Sequence, residues 1–135
     1  MKSPLLLFIA LCVCSIAYSQ PKTVDTSCSC SKAISQVSYY WKLDSLANNG
    51  FRLYAYKGLL NCKIDKVYRA LLLEKLGKPN ELRKTNKGTE YVYYYFDIKT
   101  MPKDYDAPLA CWYISFKFDE YEKYLQSVEE GDIDR

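Results

Sequence analysis

Two stretches of this chain alternate in a way that only a β-sheet can use, and they narrow the fold more than any other feature. Ala110 to Phe118 sets Trp112, Ile114, Phe116 and Phe118 on one side and Cys111, Tyr113, Ser115 and Lys117 on the other. Successive side chains of a strand point to opposite faces, so this segment is a strand with one strongly apolar face. Glu90 to Ile98 alternates less sharply. With Val92, Tyr94, Phe96 and Ile98 as its core face, Tyr91, Tyr93, Tyr95 and Asp97 turn outward. Glu81 to Thr85 is a further short strand, joined on by Asn86-Lys87-Gly88, a turn with glycine where positive φ is needed. At the C-terminal end Tyr121, Tyr124, Leu125 and Val128 suit helical spacing, but Tyr124 to Glu129 as a strand completes an antiparallel meander, and we adopt the strand.

An apolar sheet face needs a cover, and two segments supply one. Ile34, Val37, Trp41 and Leu46 lie near one side of a helix from Ser31 to Ala47, which Asn48-Asn49-Gly50 stops. The stronger pattern follows Asn61 as N-cap: Ile64, Val67, Tyr68, Leu71, Leu72 and Leu76 fall at helical spacing, ended by Gly77 and Pro79. Between them, Phe51 to Leu60 reads as a short strand or a packed connection. The expected fold is therefore α+β, with two helices packed on one face of a three- to four-stranded antiparallel sheet. Residues 31–130 form that domain, residues 20–30 a flexible lead-in, and residues 131–135 an acidic tail. Lys99 to Pro108 is a polar connection too charged to bury.

The N-terminal segment places the chain outside the cytosol. Lys2 precedes an apolar run from Leu5 to Ala17, and Ala17-Tyr18-Ser19 puts small residues where a signal peptidase wants them. We read residues 1–19 as a signal peptide cleaved before Gln20, which leaves an exported periplasmic or extracellular protein without a transmembrane span. Leu11 and Val13, ahead of Cys12 and Cys14, are too large for a lipid-attachment site, so ordinary cleavage is favoured over lipoprotein anchoring.

Cys28, Cys30, Cys62 and Cys111 remain after cleavage, an even set in an oxidising compartment, and two disulfides are expected. A bridge within Cys28-Ser29-Cys30 would close too tight a ring. Cys28 and Cys30 are each expected to reach Cys62 or Cys111, with the pairing left open. Metal binding is the lesser reading, because the chain has no histidine and no Cys-x-x-Cys knuckle.

That missing histidine also removes the usual neutral-pH base and every Ser-His or Cys-His nucleophile. The five glycines stand singly, so no phosphate-binding loop exists. No catalytic residue, metal or cofactor is assigned. A net charge of +3 is too mild for nucleic acid. A small hydrolase working through paired carboxylates stays open as the alternative, as does an inhibitor or immunity-type protein. What stands out is tyrosine, fourteen in all. Tyr91, Tyr93, Tyr95 and Tyr113, on the sheet face turned from the core, are either ordinary cross-strand pairs or a recognition surface for an envelope or secreted protein.

The order of elements has a parallel. A helix ending Leu76-Gly77-Lys78-Pro79, a strand Tyr91-Val92-Tyr93-Tyr94-Tyr95-Phe96 and an aromatic strand ending Phe116-Lys117-Phe118-Asp119 resemble the SmpA/OmlA/BamE group over about residues 61–129. The resemblance implies a small bacterial envelope protein with the fold shared by β-lactamase inhibitor proteins. It also implies a non-enzymatic role in binding other envelope proteins.

Overall fold

A computed structural model describes residues 28–101 and 110–134. The signal peptide, its cleavage site, the polar start of the lead-in and most of the Lys99–Pro108 connection lie outside the described residues. Three helices come first: α1 (Cys30–Leu43), α2 (Phe51–Leu60) and α3 (Arg69–Leu76). Four strands follow: β1 (Glu81–Thr85), β2 (Gly88–Asp97), β3 (Ala110–Phe118) and β4 (Leu125–Asp134), with a 3-10 turn at Ile98–Thr100 after β2. The sheet is antiparallel throughout, in the order β1-β2-β3-β4. The helices pack on one face of it, so the α+β expectation holds, with one helix more than the sequence suggested. Among the described residues no helix is long and apolar enough to cross a membrane.

α1 forms where Cys30, Ala33, Ile34, Val37 and Trp41 recur at three- and four-residue intervals, and all five are buried. It stops at Leu43 rather than Ala47 because the Asp44 carboxylate gathers the next backbone amides. Asp44 accepts from the N–H groups of Asn48 and Asn49 at 2.9 and 3.1 Å and of Arg52 at 3.0 Å. Gly50, at φ +87°, then makes the left-handed step that lets α2 start.

α2 occupies the segment expected as a strand or connection. Its buried face is Arg52, Ala55, Gly58 and Leu59, of which Leu59 alone is large and apolar, while Phe51, Leu53 and Tyr54 are exposed. Arg52 locks it in place. Its Nε donates to the Trp41 carbonyl at 3.0 Å and its Nη1 to the Tyr94 carbonyl at 2.9 Å, with the guanidinium 4.8 Å from the Trp41 ring centroid. Burial lowers the Arg52 pKa to about 10, against the opposing pull of Asp44.

The helix expected from Asn61 through Leu76 is cut to its last eight residues. Asn61 ends α2 instead, donating from Nδ2 to the Lys57 carbonyl. The next residues leave the helix because tertiary partners claim their backbone. Lys63 exchanges backbone hydrogen bonds with Cys28 and Cys30, and the Val67 carbonyl accepts from the Leu125 N–H. The Asp65 carboxylate holds Ser31 at both its N–H and its hydroxyl. Ile64 and Tyr68, assigned to a buried stripe, are about half exposed.

The same contact fixes the disulfide. Cys30 bridges Cys62, and Cys28-Ser29-Cys30 is packed structure rather than lead-in. The expected second bridge is not made: Cys28 keeps a buried thiol in the main core, and Cys111 is buried in a separate cluster with Val92 and Tyr94 on the opposite face of the sheet. The sheet stands between them.

β2 is turned over relative to expectation. β3 sets Ile114, Phe116 and Phe118 into the core as its alternation requires. Tyr93 pairs with Ile114 and Tyr91 with Phe116, and directly opposed residues share a face. Tyr91, Tyr93 and Tyr95 therefore point at the helices and are buried, while Val92 and Tyr94 point away. A bulge between Tyr94 and Phe96 shifts the phase, so Phe96 joins the core beside Tyr95. The acidic tail is also a strand: β4 pairs with β3 as far as Asp134, opposite Ala110.

Candidate functional site

The four tyrosines proposed as one recognition surface do not share a face. Tyr93 is fully buried, edge-on to Trp41 and Phe116, and its hydroxyl donates to the Gly77 carbonyl at 2.8 Å. Tyr91 donates to Glu122, which also accepts from Thr89 and pairs with Arg69 at 2.6 Å. These contacts tie β2 to α3 and to the β3–β4 connection, and they are structural.

Tyr113 is on the other side, in a face of the sheet that satisfies itself. Arg83 lies 4.7 Å from the Tyr113 ring centroid and donates to its hydroxyl at 3.1 Å while pairing with Glu81 at 2.9 Å. Tyr94 donates to Glu81, and Lys117 pairs with Glu129 at 2.6 Å. This lattice leaves little polar capacity for a partner.

Tyr95 opens onto a cavity. Between α2 and the C-terminal half of β4 lies a cleft of about 440 Å³, lined by Leu53, Tyr56, Tyr95, Trp112, Glu130, Gly131 and Asp132. Leu53 and Tyr56 come from α2 three residues apart, one turn along the same side of the helix. Tyr95 sits at the β2 bulge, Trp112 opposes Asp132 across the β3–β4 ladder, and Ile114 opposes Glu130. The Tyr56 and Tyr95 rings stack, with centroids 4.0 Å apart and planes 7° from parallel. Trp112 closes the aromatic wall, 4.9 Å from Phe96 and 6.4 Å from Tyr95. Burial foremost, then Tyr56 and Glu130, pushes the Tyr95 phenol well above its ordinary value, so it stays a neutral hydroxyl.

Glu130 and Asp132 are exposed, and among the described residues neither forms a salt bridge or a side-chain hydrogen bond. Their neighbour Glu129, on the opposite face, is paired with Lys117. Two positions apart on one strand face, their Cα atoms are about 6.6–6.8 Å from each other. Hydrolysis by a carboxylate pair needs the groups on either side of the scissile bond. Here both project from the same wall, an arrangement suited to holding positive charge against aromatic rings.

Past Leu53 and Tyr95 the groove continues into a second depression of about 360 Å³ formed by Ala47, Asn48, Asn49, Gly50, Phe96 and Met101. Sequence reasoning missed Tyr56, Trp112, Glu130 and Asp132 as site residues. It put Trp112 on the apolar core face, left Glu130 at the last position of the domain and placed Asp132 in the acidic tail. The i, i+3 spacing of Leu53 and Tyr56 was the available signal, but it needs α2 to be a helix. Compared with known protein families, with curated proteins and with solved structures, the chain matches none.

Proposed function

We propose that this chain is an exported, non-enzymatic protein-binding module of the bacterial cell envelope, the role that its resemblance to the SmpA/OmlA/BamE group implies. The reading rests on one observation: the cleft between α2 and β4 presents aromatic surface and two uncompensated carboxylates to solvent, whereas the other sheet face is internally paired. Exposed Leu53 lines that cleft, and Tyr54, also exposed, is next to it along α2. A disulfide and the absence of a spanning helix among the described residues are compatible with export. The resemblance implies a fold of two helices and three strands, to which this chain adds a third helix and a fourth strand.

The test is site-specific photocrosslinking in the envelope. A benzoylphenylalanine at Leu53 or Tyr54 gives a discrete protein adduct, identified by mass spectrometry, and the same probe at Lys87, on the β1–β2 turn, gives none. Adducts of equal yield from all three positions, or none from the cleft, overturn the reading.

A further inference from the structure

We infer that the cleft takes an arginine side chain presented by an extended segment of the partner, with an apolar neighbour seated in the adjoining depression. The inference rests on the binding role proposed above and names what the site recognises. Among the described residues every charged group lining the cleft is acidic, so the complementary ligand is a cation. The rest of the lining favours guanidinium over ammonium. Tyr56 and Trp112 are half-buried and offer ring surface to the cavity, and a planar, weakly hydrated guanidinium stacks on such rings and accepts carboxylates edge-on. Glu130 and Asp132, on adjacent same-face positions, can flank one guanidinium without moving backbone. Tyr95 adds a hydroxyl held neutral at the back of the cleft.

A free small cation would fill only part of about 440 Å³. The groove runs on over Leu53 into the second depression, where Ala47, Phe96 and Met101 supply apolar wall and Asn48 and Asn49 supply polar side chains. A polypeptide with an apolar residue next to its arginine spans both depressions. An extended chain puts the two side chains within a few ångströms of each other.

Trp112 reports occupancy, because the chain's other tryptophan, Trp41, is fully buried away from the cleft. Titration of the disulfide-intact protein with acetyl-Leu-Arg-Leu-amide is expected to shift Trp112 fluorescence saturably. The citrulline peptide, neutral but isosteric, binds at least about tenfold more weakly, and the lysine peptide falls between them. The double variant Glu130→Gln/Asp132→Asn reduces arginine-peptide affinity to the citrulline level without moving the unfolding midpoint, since both carboxylates are exposed. Trp112→Phe abolishes the optical signal while calorimetry still records binding. Equal affinity for arginine and citrulline peptides, or no saturable binding by calorimetry, overturns the inference. Photocrosslinking separates this from the parent reading. A Leu53 adduct undiminished by the double variant removes the arginine assignment and leaves the binding role standing, whereas loss of the adduct in the double variant supports both.

Discussion

Tyr93 decides which way β2 faces, so its substitution tests the architecture directly. Tyr93→Phe removes only the hydroxyl that donates to the Gly77 carbonyl at 2.8 Å. Gly77 is partly exposed, so its carbonyl can turn to water. The loss is then that of one neutral hydrogen bond, about 0.5–1.5 kcal/mol. Tyr93→Ala also deletes a fully buried ring set edge-on to Trp41 at 6.3 Å and Phe116 at 5.9 Å. Removing a buried aromatic costs about 3–5 kcal/mol, which includes its ring pairs and the residual cavity. The hydroxyl raises the total to about 4–6 kcal/mol, a large part of what holds a domain of this size together. Urea unfolding followed by circular dichroism measures both, with the m-value unchanged as the sign that the transition remains two-state. A loss of about 1 kcal/mol or less for the alanine variant would refute the reasoning. It would mean that the tyrosine side of β2 faces water and that Val92 and Tyr94 face the helices, one residue out of the register described.

Reduction of Cys30–Cys62, which closes a loop over a sequence separation of 32, is expected to cost about 3–4 kcal/mol, read as a lowered urea midpoint in the presence of a reductant. The Cys28 thiol, buried and unbridged, is expected to react with a thiol reagent only after unfolding. Gly88→Ala should cost several times what an ordinary surface glycine substitution does, about 2–4 kcal/mol: its φ is +140°, and a Cβ there would meet the Phe118 carbonyl and lie 2.9 Å from the Asp119 carbonyl carbon. Hydrogen bonding from Thr89, then from Arg69, holds the Glu122 carboxyl below its ordinary value. A depressed acid stabilises the fold above its unfolded-state pKa, about 4.3, and loses that contribution as pH falls through the folded-state value. Glu122→Gln should accordingly flatten the acid limb of a stability–pH profile and leave the profile between pH 6 and 8 parallel to wild type.

The sequence by itself determined the class of fold and the core face of β3. In those places one local pattern has one physical solution. Trp112, Ile114, Phe116 and Phe118 alternate with polar residues, and only a half-buried strand satisfies that order. Only the tertiary structure decided the rest, wherever two solutions are locally equal. Tyr91 to Phe96 is amphipathic on both sides, because tyrosine packs as an aromatic and ends in a hydroxyl that can reach a partner. Its facing was settled by register against β3 and by the bulge at Tyr95. Residues 62–68 have the spacing of a helix, but the Cys30–Cys62 bridge and the Ser29–Lys63 pairing keep them out of one. Propensity yields there to contacts from far along the chain. The cleft was the least legible part. Its walls come from a helix whose buried face is Arg52, Ala55, Gly58 and Leu59, from a strand bulge, and from an acidic C-terminal stretch. The acidic stretch reads as a solvated tail until β3 supplies its hydrogen-bonding partner.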